Sequence, residues 1–257
     1  MILPADIRHK NQIIRLWSKT FGDSPDSVNK YLETLLKYFI IYEDDGIVKG
    51  MLSVLPVTYG DKKGGYIYAV VTHPDYRGQG ICRTLMESVK ENKKYDFLVL
   101  VPQNESLFEF YAKMDFLKVP LLVKKELCVK KTNMSELNIK KLTVKKYETL
   151  RNLFFGEGNL IKWDAQMLFF AKTMYSGEFY EIKNAEKRTG FTFLYKEKET
   201  VFIKELITEN PEETANFIGS ELGAETVKFS YPDKNGAPTY MVFPKEFSGL
   251  YFGIYFD

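Results

Sequence analysis

A turn containing two glycines follows an apolar segment in the first third of the chain and has the features of an anion site. The segment reads Val70-Val71-Thr72-His73-Pro74-Asp75-Tyr76-Arg77-Gly78-Gln79-Gly80-Ile81-Cys82-Arg83. Its apolar start favours a strand, and the spacing of apolar residues after Ile81 favours a helix. Such a turn presents free main-chain N–H groups at the positive end of a helix dipole. Gly78 and Gly80 remove side chains that would block an anion, and Arg77 and Arg83 could add charge.

An ordinary strand-to-helix connection is the alternative interpretation, in which the two glycines only tolerate unusual dihedral angles. The turn matches neither of the two common nucleotide-binding patterns. The phosphate loop requires a Lys-Ser/Thr pair after its last glycine, and the dinucleotide turn requires three spaced glycines with a downstream acid. The glycines by themselves do not decide between an anion site and a plain connection.

A second candidate motif begins just after the apolar run from Phe97 to Val101, which is typical of a buried strand. Asn104 can cap the next helix, because its side chain can accept from the free amides of the first turn. Tyr111 lies seven residues further on and shares a helix face with Leu107 and Phe108.

Together, these motifs resemble the GNAT superfamily of acyltransferases. The family signature is Arg or Gln, two residues, Gly, one residue, then Gly or Ala, and Arg77, Gly80 and Cys82 occupy those positions. Cys82 departs from the final small residue, which could alter the approach of a pyrophosphate. The preceding His73-Pro74-Asp75-Tyr76 is also similar to this family.

The resemblance extends to the second motif and covers about Tyr31 to Leu122. Family members often carry an Asn on the pantetheine arm of the cofactor and, seven residues later, a Tyr that is followed by Gly-Phe. Asn104, Tyr111 and Asp115-Phe116 stand in those places, so the family's glycine is missing here.

The resemblance implies a fold, a cofactor and a reaction. The fold is α/β (α+β), with a mixed, mostly antiparallel central sheet flanked by helices. The cofactor is acetyl-CoA, and the acetyl group passes directly to a primary amine of a small molecule or peptide. The implied cofactor-binding residues are Ala69, Val70, Val71, Arg77, Gly78, Gln79, Gly80, Ile81, Cys82, Arg83 and Asn104.

The resemblance also implies particular roles, each with a structural alternative. Main-chain groups of Ala69, Val70 and Val71 would pair with the pantetheine arm where their strand splays from its neighbour; otherwise these are buried strand residues. Tyr111 would return a proton to the departing thiolate, and a core tyrosine is the alternative.

The sequence does not place a general base. The run from Phe97 to Val101 has no ionisable side chain. A water relay, Glu105 or a carboxylate from the other half of the chain stay open. The apolar end from Leu250 to Asp257 favours a buried strand, which would bring the terminal carboxylate to the site, as in tandem enzymes of the aminoglycoside-acetylating type.

The elements indicate two domains, 1–128 for the GNAT domain that binds acetyl-CoA and 129–257 for a degenerate GNAT-like copy. The polar stretch from Lys130 to Ser135 is the predicted linker. In the second half only Thr208-Glu209-Asn210-Pro211 separate a strand from a helix, and the acidic residues around that turn would repel a pyrophosphate. This half is expected to bind no cofactor and to form a wall of the acceptor pocket or a homodimer interface.

Composition limits the other possibilities. The 257 residues carry 36 basic and 34 acidic side chains, a balance that indicates neither a nucleic-acid nor a membrane partner. Two cysteines, no signal peptide and no long apolar segment predict a cytoplasmic protein with reduced thiols. The spacing of the two histidines and two cysteines predicts no metal site. A non-catalytic acyl-CoA-binding regulator and an aminoacyl or other acyl transferase of tandem type are the competing functions.

Overall fold

A computed structural model describes residues 1–131, 136–156, 158–185 and 187–256. It divides the chain into two compact units. Unit 1 comprises Met1–Leu117 and Met241–Ser248, and unit 2 comprises Lys118–Tyr240 and Gly249–Asp257. In the described part of the chain no helix is both long and apolar enough to cross a membrane.

Unit 1 is built on a mixed sheet with helices between its strands. The strands are β1 (Ile2–Pro4), β2 (Phe39–Asp44), β3 (Ile47–Tyr59), β4 (Lys62–Thr72) and β5 (Phe97–Leu100), joined by the end of β12 (Ala237–Phe243). The helices are α1 (Lys10–Phe21), α2 (Pro25–Leu35), α3 (Ile81–Lys90) and α4 (Glu105–Ala112). The strand order is β1-β2-β3-β4-β5-β12, antiparallel except for the parallel pair β4 and β5.

Local sequence explains why the helices of unit 1 begin and pack where they do. The Ser24 side chain accepts from the Ser27 amide, and Pro25 occupies the first position of α2. Helix α3 buries one apolar face against the sheet, as its spacing predicts; the buried residues are Ile81, Leu85, Met86 and Val89. Gly50 on β3 allows this close packing, since a Cβ there would lie 2.6 Å from Ile81 Cγ2.

Unit 2 repeats this arrangement with different residues. Its strands are β6 (Leu117–Cys128), β7 (Leu137–Leu142), β8 (Glu178–Asn184), β9 (Lys187–Glu197), β10 (Thr200–Ile207) and β11 (Thr226–Pro232). Its helices are α5 (Val144–Phe155), α6 (Ala165–Met174) and α7 (Pro211–Glu221). The order is β6-β11-β10-β9-β8-β7, again antiparallel apart from one parallel pair, β10 and β11. Both units therefore contain one parallel strand pair joined through a helix, within an otherwise antiparallel sheet.

The observed units differ from the predicted division after residue 128. Strand β6 pairs with β11 and belongs to unit 2, whereas Met241 to Phe243 at the end of β12 pair with β5 and belong to unit 1. Each unit therefore takes the strand beyond its parallel pair from the other half of the sequence. A division at a polar linker misses this exchange, because strand pairing over more than 100 residues leaves no local signal.

The C-terminal segment corrects a second prediction. Leu250 to Phe256 are buried as expected, but they form no strand; only Tyr251 makes an isolated bridge, to Leu160. Aromatic contacts hold the segment instead, with Trp163 5.5 Å from the rings of both Phe252 and Phe256. Asp257, and residues 132–135 of the predicted linker, lie outside the described residues.

Candidate active site

The second half of β4 is distorted where the sequence places its candidate pantetheine-binding residues. The register between β3 and β4 shifts so that Ala69 and Val70 together oppose Leu52, which is a β-bulge. Ala69 adopts a left-handed φ of 54°, a conformation that costs a residue with a side chain about 1–3 kcal/mol. Such strain inside a strand is typical of functional sites. The sequence gives no signal for it, because alanine carries no preference for this conformation.

Strand β4 also loses its neighbour at this point. The parallel register with β5 ends at the pair Ile67 and Leu100, although β4 continues to Thr72. Within the described range 1–131, no strand pairs with residues 69–72 of β4 on the β5 side. Main-chain groups at a strand edge need hydrogen-bond partners. A bound extended group can supply them.

The turn after β4 provides room for an anion next to the main chain. Gly78 and Gly80 have φ values of 77° and 76°, and a Cβ at either position would find no atom within 4 Å. Residues 77–80 are exposed. The glycines therefore combine a left-handed backbone with open space, which a plain connection does not require.

Helix α3 begins at Ile81 with its first amides available. Gly80 is the N-cap residue and supplies no side-chain cap, whereas the Thr84 amide bonds to the Gly80 carbonyl at 2.9 Å. The amides of the first turn have no partner inside a helix and here point from an uncapped end. Arg83, in that turn, is half exposed and lies 3.9 Å from Glu87 in the same helix. Arg77 is exposed, and its Nε donates to the Thr72 carbonyl at 3.4 Å.

Asn104 is the N-cap of α4, as the sequence predicts. Its Oδ1 accepts from the Leu107 amide at 3.1 Å and from Ser106 Oγ at 2.7 Å. The residue is exposed. The capping role and a ligand-binding role are therefore compatible, because they use different atoms of the same amide.

Tyr111 lies in the core of unit 1, at 6% exposure, in the same cluster as Ile81 at the start of α3. Burial raises the pKa of its phenol well above the ordinary value, and the nearby Cys82 thiol raises it further. Burial also raises the pKa of Cys82 to about 11, with Arg83 acting in the opposite direction. The structure thus brings together Tyr111 of one motif and Cys82 of the other. Both groups stay protonated at neutral pH.

Asp115 stands in the turn after α4, where the sequence lacks the family's glycine. It adopts a left-handed φ of 66°, the conformation that glycine favours and that aspartate tolerates better than most residues. Lys90 Nζ lies 3.0 Å from its carboxylate and 2.8 Å from the Met114 carbonyl, which fixes the turn. The backbone therefore keeps the required shape although the residue type differs.

The described residues around these motifs show no evident base. The four residues of β5 are apolar and buried. Glu105 is exposed in the first turn of α4. Among the residues the structure describes, no group of three or more His, Cys, Asp or Glu side chains could hold a metal ion.

The equivalent connection in unit 2 has different chemistry. Helix α7 begins at Pro211, directly after Asn210, and carries Glu212 and Glu213 in its first turn. Glu212 pairs with Lys125. Acidic side chains at the positive end of a helix stabilise it and repel an anion.

A family model matches the part of the sequence that holds these features. Residues 35–118 match the model of the acetyltransferase (GNAT) domain. A search of the curated proteins finds no significant match to the sequence.

Solved structures share the fold over nearly the whole chain. A GCN5-related N-acetyltransferase from Anabaena variabilis aligns with a TM-score of 0.68 at 15% identity, covering 94% of this chain and 72% of that one. An acetyltransferase described as putative from Pyrococcus horikoshii aligns with a TM-score of 0.66 at 14% identity, covering 99% and 93%. A tandem GNAT protein from the clavulanic acid biosynthesis pathway aligns with a TM-score of 0.54 at 13% identity, covering 94% and 97%.

Proposed function

We propose that this protein is an acyltransferase that uses acetyl-CoA to acetylate a primary amine of a small molecule or peptide, since residues 35–118 match the acetyltransferase (GNAT) domain model. One observation carries the proposal most directly. Helix α3 begins without a side-chain cap directly after Gly78 and Gly80, which have left-handed backbones and open space around them. The end of β4 that leads into this turn has no paired strand on its β5 side. These features together suit a ligand with a pyrophosphate and an extended amide-containing arm.

The turn would hold the pyrophosphate. Main-chain amides of residues 78–83 would donate to its oxygens, and Arg77 and Arg83 would add charge at the rim. The backbone amides would make the contacts at Gln79, Ile81 and Cys82. At the last two the side chains are buried and half buried, respectively. The acidic first turn of α7 argues against a second cofactor in unit 2.

The edge of β4 would hold the pantetheine arm. Amide and carbonyl groups of Ala69, Val70 and Val71 lie at the bulge, where the parallel partner is lost. Asn104 would donate from Nδ2 while its Oδ1 continues to cap α4. When bound, the thioester of acetyl-CoA would supply the activated acetyl group, so the chain itself needs no covalent nucleophile.

Tyr111 would act as the general acid. Its raised pKa ensures that the phenol holds its proton before the reaction, which an acid requires. A high pKa also limits how readily that proton leaves, so its contribution depends on a thiolate forming close to Oη. The general base stays unassigned, with a water relay and Glu105 as the alternatives.

Release of thiol from acetyl-CoA, measured with a panel of primary amines, tests this function. We expect turnover with at least one amine, and CoA binding by calorimetry with the turn intact. Absence of CoA binding would contradict the proposal at its foundation. Binding without turnover across amines would instead favour a non-catalytic acyl-CoA-binding regulator, which the apolar β5 strand also supports.

Two further assignments belong to this proposal. A cytoplasmic location suits a protein whose two cysteines, Cys82 and Cys128, are both free thiols. The second half stays a candidate for the acceptor-pocket wall or for a homodimer interface.

A further inference from the structure

Unit 2 contains an open groove that the proposed acetyl transfer does not use. The groove has a volume of about 480 Å³, within the range of small-molecule sites. One row of its lining side chains crosses four strands in register: Tyr195 on β9, Phe202 on β10, Lys228 on β11 and Glu126 on β6. We call it the lysine-aromatic groove.

Stacked aromatic rings form one side of the lysine-aromatic groove. The rings of Tyr195 and Phe202 lie 4.9 Å apart and within 6° of parallel. Tyr175 continues the stack, 5.1 Å from Tyr195. Tyr195 and Phe202 line the groove and are half buried. Their faces cover each other, so their edges are the parts that can contact a ligand ring, in the edge-to-face arrangement that aromatic pairs favour.

Lysine side chains form the other side. Lys204 Nζ lies 4.9 Å from the ring centres of both Tyr175 and Tyr255, and Lys124 Nζ lies 5.4 Å from Tyr255. Lys228 Nζ lies 6.0 Å from the Phe202 ring. Lys204 is half buried, so the faces of Tyr175 and Tyr255 hold its ammonium group at the cavity wall, whereas Lys124 and Lys228 are exposed at the rim.

The charge balance of the lining favours an anion. Four lysines line the groove, Lys124, Lys125, Lys204 and Lys228, against one carboxylate, Glu126. Glu126 lies 3.4 Å from Lys228, and Lys125 pairs with Glu212 outside the groove. Positive side chains still exceed acidic ones among these residues, and low-dielectric walls strengthen their field.

We propose that the lysine-aromatic groove binds a small molecule that joins a planar aromatic ring to a carboxylate or a phosphate. The edges of the Tyr195 and Phe202 rings contact the face of the ligand's ring, and the lysines contact its anion. The site is distinct from the glycine turn of unit 1 and is independent of acetyl transfer.

Calorimetry on the full chain at low salt tests the proposal with four probes. Indole-3-acetate and phenyl phosphate represent the two anions, and tryptophol and phenol are their uncharged counterparts. We expect at least one anion to bind with a Kd of about 1 mM or tighter, and its uncharged counterpart to bind about 10-fold more weakly or worse. The better anion identifies whether the groove selects carboxylate or phosphate.

Variants locate the binding. Lys204→Met removes the charge but keeps a long side chain, and Phe202→Leu removes a ring; each should weaken the anion about 10-fold. Lys140→Met, at an exposed lysine of β7 outside the groove, is the matched control and should bind like the parent. Thermal unfolding checks that each variant is folded.

Three results would overturn the site. The first is that neither anion binds at millimolar concentration, and the second is that the uncharged counterpart binds equally well. The third is that stoichiometric CoA displaces the anion. The last result would place the probe in the cofactor site of unit 1. Failure of CoA to bind would count only against the proposed acetyl transfer.

Discussion

Replacing Gly80 with alanine separates the cost of a strained backbone from the loss of a ligand contact. Gly80 has a φ of 76°, and an added Cβ would find no atom within 4 Å, so the substitution causes no clash inside the protein. Alanine in the left-handed conformation costs about 1–2 kcal/mol. The stiffer unfolded chain returns about 0.4–1 kcal/mol of this. A net loss of about 1 kcal/mol is therefore expected, and the fold should survive.

The effect on CoA should be larger. The new methyl group would occupy space next to amides that we assign to the pyrophosphate. Loss of one hydrogen bond to a charged group costs about 1.5–3 kcal/mol, which corresponds to roughly a 10- to 100-fold increase in Kd. Calorimetry with CoA measures this increase, and thermal unfolding measures the stability.

Gly22→Ala is the matched control. Gly22 ends α1 with a φ of 85°, and a Cβ there would also find nothing within 4 Å. Both variants should lose similar stability, about 2–4 °C in Tm for each kcal/mol in a domain of 150–250 residues. Only Gly80→Ala should lose CoA affinity. Parent-like CoA binding by a folded Gly80→Ala variant would refute the assignment of the turn.

Three other predictions concern groups that the structure buries. Tyr111→Phe should lower turnover by roughly 100-fold with CoA affinity little changed, as measured by steady-state kinetics and calorimetry. Iodoacetamide at pH 7.5 should modify exposed Cys128 well before Cys82, and the Cys82 rate should keep rising with pH toward its raised pKa of about 11, because the thiolate is the reactive form. Glu205→Gln should cost unit 2 about 3–5 kcal/mol in thermal or denaturant unfolding, because the buried Arg151 guanidinium loses its ion pair at 2.9 Å.

Each of these predictions has a result that would contradict it. Full turnover in Tyr111→Phe would leave Tyr111 as a core residue only. Faster labelling of Cys82 than of Cys128, followed by mass spectrometry, would show that its thiol is neither buried nor shifted. Exposed Glu221→Gln serves as the control for Glu205→Gln, and equal stabilities of these two variants would show that the buried pair contributes nothing.

Local chemistry made part of the site predictable from the sequence. Gly78 and Gly80 predict a left-handed turn, and the apolar spacing after Ile81 predicts the buried face of α3; both are observed. Asn104 is the cap that its residue type favours. These features depend on a few neighbouring residues, so the sequence contains the relevant information in one place.

Features that depend on distant pairing could not be predicted in the same way. The bulge at Ala69 exists because the register between β3 and β4 shifts by one residue. Alanine has no preference for a φ of 54°, so its residue type does not predict this conformation. Strand β12 was missed, although its apolar run after Gly236 is a usable signal. Its pairing with β5 has no local signal, which is why the compact units of the structure do not follow the predicted boundary at residue 128.

Comparison of the two units indicates that an anion site at the glycine turn would depend on the turn and not on the fold. Each unit has a parallel strand pair joined through a helix, and in each the strand before that helix carries a register irregularity, at Ala69–Val70 in β4 and at Lys204 in β10. The turns that follow differ: one has open left-handed glycines, and the other has Pro211 and two acids. Helices α3 and α7 both begin with the positive end of their dipole at the turn. The dipole alone therefore cannot explain why one turn would bind an anion and the other would not. We therefore expect that CoA, if it binds, binds once per chain, and a calorimetric stoichiometry near two would contradict this reasoning.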